Sequence, residues 1–240
     1  MNQQPVHRNP AARRRGLLLL LCVAAAPVIG TSFTASAATA PAAASALATA
    51  ASAAAQTASP ALRDGDIIFH TSRSSQSAAI QRATHSRYSH MGLILHRQGQ
   101  PYVFEAVATV RFTPLAQWTA RGAGGHYVIK RWRDADTRLD AAGTTRLRHS
   151  AQALAGKPYD LTFEWSDARI YCSELVWKAY ERAFGLKLGE TQRLADFDLS
   201  DPVVAAKLRE RYGAKLPLQE IVISPQAIFD SAELVLVSER

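Results

Sequence analysis

Short strand-like segments fill the middle of the 240-residue chain and helical patterns flank them, which predicts an α+β fold with an antiparallel sheet packed against a helix. Three observations carry this. Ile67-Ile68-Phe69, fed by the turn-forming stretch Arg63-Asp64-Gly65-Asp66, has the make-up of a short buried strand. Tyr88–Leu95 and Tyr102–Val107 are two further strands, and the link Arg97-Gln98-Gly99-Gln100-Pro101 has the composition of a hairpin turn. Cys172–Phe184 carries apolar residues at 172, 175, 176, 179, 183 and 184, one stripe of an amphipathic helix, and Gly185 supplies a left-handed cap.

The first quarter of the chain is not fold-forming. Arg13-Arg14-Arg15 precedes an apolar run from Gly16 to about Gly30 and the small-residue tripeptide Ala35-Ser36-Ala37. That layout predicts a signal peptide over residues 1–37, cleaved before Ala38, and export to the periplasm or the extracellular space. The apolar run is too short for a good membrane span. General export fits better than a twin-arginine route, because the residues around the arginines do not match that pattern. Cys22 follows Leu21, where a lipoprotein signal wants a small residue, so it is expected to leave with the signal. Residues 38–60 are almost entirely Ala, Ser, Thr and Pro without charge, and read as a disordered or loosely helical tether. Residues 61–240 are long enough for one domain with a sizeable core.

Within that domain, Ser74 and Ser75 offer caps for a short helix over residues 76–84, and the hairpin follows. A strand is expected over His126–Trp132 and a helix over Thr144–Ala155. The loop Gly156-Lys157-Pro158-Tyr159-Asp160 then delivers the chain to the Cys172 helix. Ser200 caps a helix with Pro202 in its first turn that runs to about Tyr212, Ser224-Pro225 starts a short one, and Leu234–Val237 closes with a strand. No internal repeat is visible.

The formal charge of +8 falls to +4 once residues 1–37 are removed, since they hold four arginines and no acid. A mildly basic protein is suited to peripheral contact with an anionic envelope surface, but without an arginine-rich stripe or stacking aromatics it gives no case for nucleic acid. Oligomeric state leaves no trace in the sequence. Cysteine usage is more telling. A mature exported chain with Cys172 as its one cysteine has no internal disulfide to make, and an unpaired thiol in an oxidising compartment is a liability unless buried or chemically needed.

Cys172 opens its helix, where the partial positive charge of the N-terminus favours a thiolate. The plain alternative is a small buried hydrophobe. A two-residue turn at Gln98-Gly99 sets residue 92 opposite 105 and 90 opposite 107, so His90 and Glu105 share a face as diagonal neighbours about 7 Å apart at the backbone. A glutamate there can hold one nitrogen of the imidazole and leave the other for a thiol. Glu105 interrupts the apolar run Val103-Phe104-Glu105-Ala106-Val107, where a charge needs a partner. With Cys172 packed against the same sheet, the three would form a thiol, imidazole and carboxylate relay. A metal site from the same three side chains lacks the close-spaced ligand pair such sites show, and no cofactor or metal is expected.

Taken together, Leu62-Arg63-Asp64-Gly65-Asp66-Ile67-Ile68-Phe69, Ser89-His90-Met91-Gly92-Leu93-Ile94, Phe104-Glu105-Ala106, Lys157-Pro158-Tyr159 and Tyr171-Cys172-Ser173-Glu174-Leu175 resemble the YiiX/YaeF-type permuted papain-like cysteine hydrolases. These are circularly permuted relatives of the NlpC-type cell-wall peptidases, with the cysteine helix last instead of first. The resemblance implies Cys172 as nucleophile, His90 as general base and Glu105 as its orienting partner. It matches Tyr159 to the tyrosine lining the site near the cysteine, an oxyanion candidate or a packing residue, and Asp66 to a structural position. The expected activity is hydrolysis of an amide of a cell-envelope peptide or an N-acyl lipid through an acyl-enzyme. A lipid acyltransferase or thioesterase of the same fold, or a non-catalytic envelope binding module, are the alternatives. Trp118, Trp132, Trp165 and Trp177 are open to two readings, the lining of an acyl groove or ordinary core.

Overall fold

The computed structural model describes residues 61–240, so the expected signal peptide and tether lie outside the described residues. The first strand, β1 (Ile67–His70), is followed by helix α1 (Ser77–Thr84), the hairpin strands β2 (His90–Arg97) and β3 (Gln100–Ala106), then β4 (Val110–Pro114) and helix α2 (Leu115–Ala120). Next come β5 (Val128–Trp132), helix α3 (Ala141–Gln152) and the cysteine helix α4 (Cys172–Phe184). The two-residue strands β6 (Gln192–Arg193) and β7 (Ile221–Val222) bracket α5 (Pro202–Tyr212), and α6 (Pro225–Phe229) and β8 (Leu234–Glu239) complete the chain. Six strands form one sheet in the order β4-β3-β2-β1-β5-β8, antiparallel throughout, and β6 and β7 pair separately.

The hairpin has the expected register, with Arg97 paired to Gln100 and Leu93 to Phe104. Gln98 (φ 51°) and Gly99 (φ 74°) are both left-handed, the requirement of a two-residue turn whose twist matches the strands. Both faces of the sheet are covered, which is why its inner strands read as continuous apolar runs and not as alternation. On one face Phe69, Leu93 and Phe104 pack with Leu175 and Val176 of α4. On the other, Ile68, Ile94, Val103 and Ile129 pack with Trp118 of α2. Asp66, buried, accepts from Arg131 through both oxygens at 2.6 and 2.8 Å, the structural part expected of it.

Two features differ from the sequence reading. Strand β4 and helix α2 arise where the sequence suggested no element, because Arg111, Thr113 and Pro114 dilute the strand pattern and α2 has no side-chain cap. The amphipathic stripe of α4 also understates its burial: Cys172 to Tyr180 are all buried, Glu174 and Lys178 included. Those two pair at 2.7 Å, and Lys178 also donates to the Ser166 carbonyl (2.8 Å) and Asp167 (2.9 Å), which places the loop before α4 over its polar side. Smaller shifts concern caps. Asp140 caps α3 and Asp201, not Ser200, caps α5, whereas Ser224 caps α6 as expected.

Candidate active site

Cys172 is the first residue of α4, preceded by Tyr171 in extended conformation. Its position is fixed by its neighbours: the Ser173 hydroxyl donates to the Ile223 carbonyl (2.8 Å), and the Ile223 N–H donates to the Tyr171 hydroxyl (3.1 Å). Strapped to the segment before α6, the first turn of α4 starts at the thiol-bearing residue, where the leading N–H groups of a helix lack intrahelical partners.

Glu105 is fully buried and accepts four hydrogen bonds. Its Oε2 takes His90 Nε2 at 2.7 Å and Trp118 Nε1 at 2.9 Å, and its Oε1 takes Thr113 Oγ1 at 2.6 Å and the Arg121 guanidinium. Burial by itself would raise its pKa, but the His90 contact, with Thr113 and Arg121, outweighs that and lowers it to about 2. His90 opens β2, at the end of the sheet, with Glu105 on its Nε2 and the Cys172 thiol close enough to influence its charge. Burial opposes the imidazolium, yet the Cys172 and Glu105 contacts more than offset it and raise the His90 pKa to about 9. The imidazole is therefore held charged near neutrality, between a carboxylate and a thiol.

Tyr159 lies at the same place. The loop carrying it is stitched to the β3–β4 connection by the Tyr159 N–H to Ala108 carbonyl bond (3.1 Å), and to the residue before Tyr171 by Ile170 N–H to the Pro158 carbonyl (3.0 Å). Its hydroxyl accepts from Gln76 Nε2 at 2.8 Å, and burial first, then the neighbouring Cys172, push its pKa well up, so it stays a neutral donor.

The structure brings Cys172, His90, Glu105 and Tyr159 into one neighbourhood, and the sequence reading misses the residues that hold Glu105. Thr113, Trp118 and Arg121 belong to β4, α2 and the turn after it, the region without a recognised pattern. It also misses His70, which β1–β2 pairing sets opposite His90. His70 stacks on Trp118 with ring centroids 3.8 Å apart, and burial, then the His90 and Arg121 charges, depress its pKa to about 3. A neutral ring thus covers the buried pair without competing for its proton. The signal for it was present: His70 ends the apolar strand two residues past Ile68 on the same face.

Two concavities meet at this cluster. Cys172 lines a partly open pocket whose walls are apolar, among them Ala79, Ile80, Phe163, Val204 and Leu208. His90 lines a larger, open groove edged by many polar and charged side chains, with Tyr159 common to both. None of the four tryptophans lines the apolar pocket, which settles them as core and structural residues.

Comparison with known proteins identifies the family. The chain is 53% identical over 176 residues to the uncharacterized protein YiiX of Escherichia coli K12, a match covering 73% of this chain and 86% of that protein. A solved structure, described as that of the metalloprotein yiiX from Escherichia coli O157:H7, superposes with a TM-score of 0.72 at 53% identity, over 74% of this chain and 97% of that one. Residues 61–238 match the family described as permuted papain-like amidase enzyme, YaeF/YiiX, C92 family, and the chain belongs to that family of cysteine hydrolases.

Proposed function

We propose that the protein cleaves an N-acyl amide whose apolar acyl chain occupies the pocket beside Cys172, with Cys172, His90 and Glu105 as catalytic residues. The observation that carries this reading is the division of the site: the thiol opens onto apolar walls and the imidazole onto a polar groove. Each buried methylene contributes about 0.8 kcal/mol, so a chain of some eight carbons has ample driving force to select this pocket. As an exported protein it would meet such amides in the cell envelope.

In the reaction, the Cys172 thiolate attacks the carbonyl carbon, and the oxyanion is met by the backbone N–H of Cys172 and the Tyr159 hydroxyl. His90 gives its proton to the amide nitrogen, the C–N bond breaks, and the amine leaves while the acyl group stays on sulfur as a thioester. Neutral His90 then takes a proton from water, which attacks the thioester and releases the acid. Glu105 keeps its charge throughout and orients the ring.

The related solved structure is described as a metalloprotein. In this chain the residues do not fit a metal ion: Glu105 has both oxygens filled, one by a guanidinium, and among the described residues no group of three His, Cys, Asp or Glu side chains is placed to hold one. The steps above rest on thiol, imidazole and carboxylate.

Intact-mass labelling with a small electrophile across about pH 5 to 9 tests the pair. The wild type should label quickly below pH 7 and His90→Gln about tenfold or more slower; equal slow rates would sink the triad. For the substrate, octanoyl amides should exceed acetyl amides in kcat/KM by about 100-fold or more. Equal rates would remove the acyl chain from the pocket.

A further inference from the structure

The groove on the imidazole side has a composition that the acyl pocket does not explain. We infer that it holds an anionic group, a carboxylate or a phosphate, carried by the amine half of the substrate; this rests on the N-acyl amide reading above. The two concavities share Gln76, Tyr159, Lys207 and Arg211, so they meet at one rim, but Cys172 lines only the apolar one and His90 only the groove. A carbonyl attacked by the thiol sits at that junction. Since His90 protonates the departing nitrogen, the amine half lies in the groove when the acyl chain lies in the pocket.

Five cationic side chains line the groove, Arg73, Arg121, Arg169, Lys207 and Arg211, against one carboxylate, Glu210. Two of the five are already balanced: Arg121 by Glu105 beneath it, and Lys207 by Glu210 at 2.5 Å. The other three are in no ion pair among the described residues. They come from three separate segments, the turn before α1, the loop before α4 and helix α5, which the fold brings to one groove. Arg211 is held in place, its guanidinium donating to Gln76 Oε1 and lying 5.1 Å over the Phe163 ring. Arg73 and Arg169 are exposed residues of the groove lining.

A cleft lined by one sign of charge concentrates the opposite sign, and the guanidinium fork matches carboxylate and phosphate oxygens alike. An exposed ion pair alone contributes about 0.2–1 kcal/mol, so three converging arginines give a preference on the order of tenfold, weakened by salt. The neutral alternative, an uncharged amine such as ethanolamine, would leave these three cations without a partner.

Calorimetric titration of the Cys172→Ala protein measures this without turnover. The ligands are N-octanoylethanolamine, its O-phosphate and N-octanoylglycine, each with its N-acetyl counterpart. At low salt the two anionic ligands should bind about tenfold tighter than the neutral one, with the ratio shrinking in about 200 mM salt. The ratio should fall to within about twofold when Arg73→Gln and Arg169→Gln are added, and should survive Arg146→Gln on the distant helix α3. Whether the glycine conjugate or the phosphate binds better identifies the source of the anion. Equal affinities for anionic and neutral ligands, a ratio untouched by the groove variants, or one lost equally in Arg146→Gln would each overturn the inference. Chain length reads the acyl proposal separately: if acetyl and octanoyl ligands bind alike while the anion preference persists, the pocket assignment fails and the groove assignment stands.

Discussion

At the scale of single residues, the site depends on a buried carboxylate that is more than a partner for histidine. Glu105 satisfies Thr113, Trp118 and Arg121 as well as His90, so removing its charge strands a guanidinium and loosens the imidazole together. Glu105→Gln is therefore expected to cost about 3–5 kcal/mol in urea unfolding and to lower the pH below which His90 stays charged. A variant as stable as wild type would show that Glu105 is not the hub of this network. The two shifts also fix how stability varies with pH. His90, raised from 6.5 to about 9, contributes fully below pH 6.5 and loses that contribution as pH rises through 9. Glu105, lowered from 4.5 to about 2, contributes above pH 4.5 and loses it as pH falls towards 2. Unfolding measured from pH 6 to 10 should show wild type losing stability relative to His90→Gln, on the order of 2 kcal/mol; parallel curves would contradict the His90 assignment.

At the scale of elements, the hairpin is what makes the pair, and two glycines within it have different jobs. Gly99 needs its positive φ of 74° but has open space around it. Gly92 has no such backbone demand; a Cβ there would lie 2.4 Å from Val103 Cγ1 and 2.9 Å from the Phe104 carbonyl, beside Glu105. Gly99→Ala should thus cost about 1 kcal/mol through turn strain alone. Gly92→Ala should cost more, about 1–3 kcal/mol, because the clash is with an inner strand, and it should also depress activity by displacing Glu105. Denaturation midpoints and rates measured on both variants check the order; a milder effect at Gly92 would mean that the strands part without cost.

On the scale of the whole molecule, the apolar pocket is assembled from α1 on one hand and α5 with the segment before α6 on the other, which lie more than a hundred residues from α1 in sequence. Ile80, half-buried on α1, lines it and not the groove that His90 faces. Ile80→Trp should shorten the usable pocket and shift preference from octanoyl towards acetyl amides by about tenfold or more, with thiol labelling unchanged. An unaltered chain-length profile would place the acyl group elsewhere.

The sequence by itself determined the hairpin register, the span of the cysteine helix with its Gly185 cap, and the sharing of one sheet face by His90 and Glu105. Each follows from short-range periodicity: a two-residue turn fixes which residues face each other, and a 3.6-residue repeat fixes a helix face. The tertiary structure alone decided what surrounds them. The donors to Glu105 sit on a short strand and an uncapped helix, which carry almost no local signal. His70 becomes a neutral cover only because β1 pairs with β2. The division into an apolar pocket and a cationic groove depends on packing between distant segments, where side chains meet for reasons of shape and burial that no local pattern records.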